Sequence, residues 1–455
     1  MNLMMQGQSQ NFGAPRRFLL SVFLTAQFIG LSRTFFMNVF GDGFNQVAAF
    51  CAYGSLLLLP FLLEQYRHTS RPGEQIGSTG STWVLLLVLS TTFSFLHGLF
   101  LQYDTKEIIQ DYAPYVIIGV FAIIGSRQAF WDDLIIILPW MLFAGLAING
   151  LGLIGFGNLI ERDIGERVGR ESVAYRTQSV LGMWGMALLL LRRQKPMFKL
   201  IAILTLYFYL GQQVLFQKRL GTMETAFYLS GFFIVFPLLA RSRSDNDWLD
   251  ETKVFVGIFI TAIVAFVVAA TVSDGLFFAQ AEALFQRFAG VGTGQRKEGV
   301  GLIAATFLEN ERLDLALRML SDFRPFEWIT GRGMGGYFNI AVSLNDNEIV
   351  RQQQYLSMYL DDVGVFGRRG IEIGWLMPFL KGGAVLMLIM VYGVMAAISR
   401  LNQIRHDPVT LAAWVWLAIE ALFLLQGGGF IVSAAYRAVL LGACIGRCLS
   451  TVPRR

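Results

Sequence analysis

The chain is 455 residues long, 55% of them hydrophobic and 15% charged, with a mean hydropathy of +0.53. So much apolar surface excludes an ordinary soluble protein and points to a chain whose main solvent is lipid. Lys and Arg exceed Asp and Glu by 37 to 32, too small a surplus to indicate a nucleic-acid partner.

A hydropathy window of about 19 residues predicts twelve membrane spans: 18–40, 46–63, 82–101, 114–126, 133–157, 177–191, 197–216, 222–240, 254–273, 374–399, 410–431 and 434–450. The fourth and sixth are short. Arg16-Arg17 precede an apolar run longer than a signal-peptide core, and no Ala-x-Ala site follows, so the first run is read as a retained span. Residues 68–81 form a Gly/Ser-rich linker. With the N-terminus in the cytoplasm, the inner connections hold seventeen Lys and Arg and the short outer ones eight. That asymmetry predicts both termini inside.

Residues 274–371 stand apart as an extracytoplasmic loop of nearly a hundred residues, between a bundle over 1–273 and the last spans over 372–455. Loops of that length are usually functional. Its stretches 276–289, 299–320 and 346–360 read as amphipathic helices, and a small helical cap on the outer membrane face is expected.

Three cysteines, Cys51, Cys444 and Cys448, sit in apolar runs without metal-ligand spacing, so neither a zinc site nor a disulfide framework is expected. The three histidines offer little: His68 and His406 fall in inner connections, and only His97 approaches the outer surface, more as an interfacial residue than a base. Gly331-Arg332-Gly333-Met334-Gly335-Gly336 fits Gly-x-Gly-x-x-Gly, but it lies outside the membrane among helices, without the βαβ context of a nucleotide site. Its backbone N–H groups and Arg332 would suit an anion; a tight turn returning the loop to the membrane is the equal alternative. The outer arginines, among them Arg176, Arg219, Arg312 and Arg332, oppose the positive-inside preference, and a guanidinium fork pairs with phosphate bidentately. Twelve loop acids against ten loop bases offer most of them an internal partner instead. Arg33, Glu224, Lys381 and Glu420 are charges within spans; Glu420 is mid-span, and the other three are within snorkelling reach of an interface.

Over the whole chain this layout resembles the O-antigen polymerase and O-antigen ligase superfamily, the Wzy-type polysaccharide polymerases. Lys218-Arg219-Leu220-Gly221-Thr222 stands where the family tends to have a Ser-Arg pair at the outer end of a helix. Arg312, Pro325 and Gly331-Arg332-Gly333 match the loop pattern of an arginine opening a helix, then a proline and a Gly-x-Gly turn. Asp362-Val363-Gly364-Val365-Phe366-Gly367 matches the acid-x-Gly motif after the loop, while Gln353-Gln354 replace the family's His-Asn. Glutamine lacks the basicity of the histidine favoured as general base in ligase-like members.

The resemblance implies an all-α, GT-C-like polytopic bundle in the inner membrane that joins polyprenyl-pyrophosphate-linked glycans, without metal or cofactor. It implies catalytic roles for Arg219, Arg312 and a carboxylate, Glu327 or Asp362. It also implies substrate contacts from Arg176, Lys218, Gly331, Arg332, Gly333 and Gln353. Expected partners are membrane lipid, a flippase and a chain-length regulator, with no nucleic acid. Transfer of a finished glycan to another acceptor is the first alternative. Lipid-linked glycan transport is the second, disfavoured by the large loop and the lack of inverted repeats.

Overall fold

The computed structural model describes residues 13–32, 36, 39–41, 43–68, 75–153, 196–215, 226–240, 320–321, 323–339, 367–368, 374–404, 407–424 and 435–451, and six single positions between 260 and 282. The regular elements among the described residues are helices and four two-residue strands. In chain order the helices are α1 (Gly13–Leu31), α2 (Gln46–His68), α3 (Ser78–Phe100), α4 (Thr105–Gly125), α5 (Gln128–Leu153), α6 (Pro196–Leu215), α7 (226–240), α8 (Glu327–Thr330), α9 (Leu376–Ile398), α10 (Leu401–Ile404), α11 (Pro408–Phe423) and α12 (Ala435–Cys448).

Five of them, α2, α3, α4, α9 and Gln128–Ile148 of α5, are long and apolar enough to cross a membrane, which makes this a helical membrane protein. Helices occupy ten of the twelve predicted windows wholly or in part. The window at 177–191 lies outside the described residues, as do 254–273 and the three amphipathic loop stretches except at single positions. The fourth span is corrected: it is not a short run from 114 but the full helix Thr105–Gly125. Lys106, Glu107 and Asp111 depress the hydropathy of its first turns, while Asp104 caps it by accepting from Lys106 N at 3.0 Å.

The core is built around α4 and α12. Gly442 and Gly446 form a Gly-x-x-x-Gly pair on α12, and a Cβ at either would fall 2.3 Å from Ile118 O or 1.9 Å from Ala122 O. The two backbones therefore touch, the small-residue packing that membrane helices use where no hydrophobic drive separates protein from lipid. Trp83, Trp131 and Trp416 are fully buried, whereas Leu57, Phe61, Leu89, Phe93 and Leu388 remain exposed on faces suited to lipid.

One end of the bundle gathers the start of α1, the end of α2, the α4–α5 and α9–α11 turns and the end of α12. There β1 (Gln75–Ile76) pairs antiparallel with β4 (Ser450–Thr451), and Arg400 reaches Leu449 O and Thr79. Asp407 caps α11 and takes Arg447 Nη2 at 2.7 Å, while Arg447 Nε donates to Thr410 Oγ1 at 2.9 Å. Burial alone would raise the Asp407 carboxyl, but Arg447 and Thr410 outweigh it and hold the folded pKa below the ordinary 3.8. A carboxyl depressed by folding stabilises fully above its unfolded value, and that stabilisation is lost as pH falls through the folded one. Thermal unfolding in detergent should therefore show a loss of stability below about pH 4 that is smaller in Asp407→Asn than in the wild type. Equal acid losses in the two proteins would mean that Asp407 contributes nothing to the pH dependence.

Candidate functional site

The opposite end of the bundle is organised by a break in α9. Gly382 (φ −133°, ψ 16°) and Gly383 (φ 63°, ψ −161°) interrupt the helix, so the carbonyls of Leu380 and Lys381 lose their usual partners one turn on. The glycine-rich segment supplies replacements: Arg332 N donates to Leu380 O at 2.8 Å and Gly333 N to Lys381 O at 3.1 Å. The chain then crosses to α3 and α4, where Met334 N donates to Ser94 O at 3.0 Å and Gly335 N to Asp111 Oδ2 at 2.7 Å. Gly331, at φ 68°, packs so tightly on the break that a Cβ would fall 2.5 Å from Gly383 N.

These contacts change the reading of residues 331–336. The segment does not lie outside the membrane helices; it is wedged among three of them, with Gly331, Gly333, Met334, Gly335 and Gly336 buried. Ser94 lies six residues before the end of α3, and Asp111 six after the start of α4. At about 1.5 Å per residue the tip sits about 9 Å below both helix ends. The N–H groups of residues 331–336 all have protein acceptors, so the backbone offers no anion nest here.

Lys381 also departs from expectation. It does not snorkel: fully buried, it pairs with Asp111 Oδ2 at 2.5 Å and donates to Gly336 O at 2.7 Å. Asp111 is not among the residues nominated above, although an acid inside the apolar run Ile108 to Gly125 is itself a signal that a partner must exist. Glu420 is likewise partnered, by the Tyr228 hydroxyl on α7 and by Arg437 Nε at 3.1 Å. A π-turn at Gly231–Val235 follows Tyr228 and lets Gly231 press against Ile419.

Above the wedge, Glu327 and Arg332 form the polar edge of the site. Arg332 Nε and Nη2 lie 3.3 and 3.4 Å from Glu327 Oε2, and Nη1 donates to Tyr337 O at 2.7 Å. Glu327 Oε2 also accepts from Arg324 N at 2.9 Å, an arrangement that holds Arg332 in place rather than leaving a free base. The guanidinium lies over Phe323, 5.0 Å from the ring centroid, and Phe323 stacks on Phe379 at 5.6 Å. Trp328 meets Phe379 edge-on at 5.4 Å. Phe326, Trp328 and Ile329 stay exposed beside this edge. Tyr103 borders it through Tyr337, with ring centroids 6.0 Å apart; burial pushes its hydroxyl above the ordinary range, while Arg332 draws it the other way. His97 ends α3 nearby, within the electrostatic influence of Glu327, and its buried Nδ1 has no partner among the described residues.

Of the residues nominated from sequence, the structure thus brings together Glu327, Gly331, Arg332 and Gly333. Arg176, Lys218, Arg219, Arg312, Gln353 and Asp362 lie outside the described residues, as do Arg33 and Glu224. The strands β2 (Phe338–Asn339) and β3 (Gly367–Arg368) pair antiparallel, which sets Asn339 beside Gly367; Gln353 and Asp362 fall between them in sequence. Compared with protein-family models, with curated proteins and with solved structures, the chain matches none.

Proposed function

We propose that this protein is a polysaccharide polymerase of the inner membrane, joining polyprenyl-pyrophosphate-linked repeat units at the outer membrane face. Its complete form is a bundle of about twelve spans with both termini cytoplasmic. The observation that carries the reading is the wedge: a glycine-rich stretch is locked into the ends of α3, α4 and α9, and it holds Arg332, paired with Glu327, beside the exposed Phe326 and Trp328. A guanidinium fixed there suits the pyrophosphate of a lipid whose tail stays in the bilayer. The layout of the chain and the matches at Arg219, Arg312, Pro325 and Gly331-Arg332-Gly333 support the same reading.

In this proposal a terminal hydroxyl of one glycan attacks the anomeric carbon of another. The new glycosidic C–O bond forms as the bond to pyrophosphate breaks, and polyprenyl pyrophosphate leaves with the electron pair. Arg219, Arg312 and Arg332 are assigned to stabilising the charge that develops on the leaving group. Glu327 orients Arg332, and Asp362 is the carboxylate nominated to take the hydroxyl proton. Lys218, Arg176 and Gln353 are assigned to substrate contacts, and no metal takes part.

The experiment is release of polyprenyl pyrophosphate by purified protein supplied with a lipid-linked repeat unit. Removing a charge-assisted contact is worth about 1.5–3 kcal/mol, so Arg332→Ala should release product roughly 10- to 100-fold more slowly. Arg332→Lys should also be impaired, because an ammonium has no fork. Undiminished release by Arg332→Ala, with the protein folded, removes the residue from the site.

A further inference from the structure

At the end of the bundle opposite the wedge, Asp133 on α5 is completely buried and takes four donors. Oδ2 accepts Arg16 Nε at 2.6 Å and the Tyr66 hydroxyl at 3.0 Å; Oδ1 accepts Arg16 Nη2 at 3.1 Å and Arg17 Nε at 3.2 Å. Two guanidiniums therefore share one carboxylate, and the cluster carries one positive charge in excess. On the α4–α5 turn, Arg127 Nη1 donates to the backbone carbonyl of Tyr66 at 2.5 Å. Nearby acids are engaged elsewhere: Asp132 accepts from Gln128, and Glu64 pairs with His68. Residues 1–12 include no acid.

Arg17 is where the excess charge reaches the surface. Its side chain is 43% exposed, and among the described residues its only acceptor is Asp133, engaged through Nε, which leaves Nη1 and Nη2 open. Directly along α1 the exposed residues are Phe18, Val22 and Thr25, an apolar track leading away from the cation toward the middle of the bundle. An open guanidinium fork at the head of such a track matches an anionic headgroup with its acyl chain attached.

We propose that the Arg16–Arg17–Asp133–Tyr66 cluster is a binding site for the phosphate of an anionic phospholipid in the leaflet at this end, with the acyl chain lying along Phe18, Val22 and Thr25. Arg17 binds the phosphate; Arg16 and Tyr66 hold Asp133 so that Arg17 is oriented but not neutralised. The site is independent of the chemistry at the opposite end. A weak general attraction of basic residues to an acidic surface would spread over all exposed arginines, whereas this site depends on one.

The test is native mass spectrometry of the full chain released from membranes containing phosphatidylcholine and phosphatidylglycerol. Wild type should retain phosphatidylglycerol in preference to phosphatidylcholine, and inorganic phosphate at millimolar concentration should not displace it. Arg17→Gln, which leaves the Arg16–Asp133 pair intact, should retain it roughly fivefold less, and Arg67→Gln, an exposed charge at the same end, should retain it as wild type does. Equal retention of the two lipids by wild type overturns the proposal without any variant. So do equal losses in the two variants, which would mean general surface charge, and displacement by phosphate alone, which would mean an anion site without lipid.

Discussion

Lys381→Met should destabilise the protein by about 3–5 kcal/mol, because it leaves the buried Asp111 carboxyl with only the Gly335 N–H as partner among the described residues. Asp111→Leu alone should cost a similar amount by stranding the ammonium. Combining the two should recover much of the loss, since a buried pair replaced by apolar residues is often close to neutral. Recovery will be incomplete, because Gly335 N and Gly336 O lose their partners in the double variant, at about 1–3 kcal/mol for each group left unsatisfied. Denaturant unfolding in detergent measures all three. Additive losses in the double variant would show that the two residues do not act as a pair.

Gly383→Ala should be as damaging for a different reason. The new Cβ would lie 2.2 Å from Ile329 O and 2.6 Å from Gly331 N, both backbone atoms, at a φ of 63° that L-residues seldom adopt. The collision and the strained φ together should cost more than about 3 kcal/mol, with the wedge expelled from α9. Gly119→Ala in α4 is the control: a Cβ there meets nothing within 4 Å, so the helix should gain up to about 1 kcal/mol. Tolerance of alanine at both positions would mean that the wedge and α9 do not form the tight contact described.

How far these features could be read in the sequence depends on whether their causes are local. Apolar runs of membrane length identify α2, α3, α5 and α9 because hydropathy is summed over neighbours. The start of α4 escaped that sum, since Asp111 is satisfied by Lys381, 270 positions along the chain, and nothing within α4 announces the partner. The glycine segment was legible as a turn with a cation, but its depth was not. Depth comes from two other glycines, Gly382 and Gly383, whose break in α9 frees the carbonyls that receive it. The resemblance nominates Glu327 as a catalytic carboxylate, and its three donors reveal it as the support of Arg332. The Gly442–Gly446 spacing is present in the sequence, but an apolar span tolerates small residues at many positions, so the backbone contact with α4 is not legible from it.

Polymerisation is tested most directly by giving purified, reconstituted protein one lipid-linked oligosaccharide repeat unit and separating the products by length. The polymerase reading predicts a ladder of glycans rising by whole repeats, each still on the lipid, with polyprenyl pyrophosphate released once per bond formed. A single transfer to a different acceptor, or translocation of unextended substrate, would contradict it.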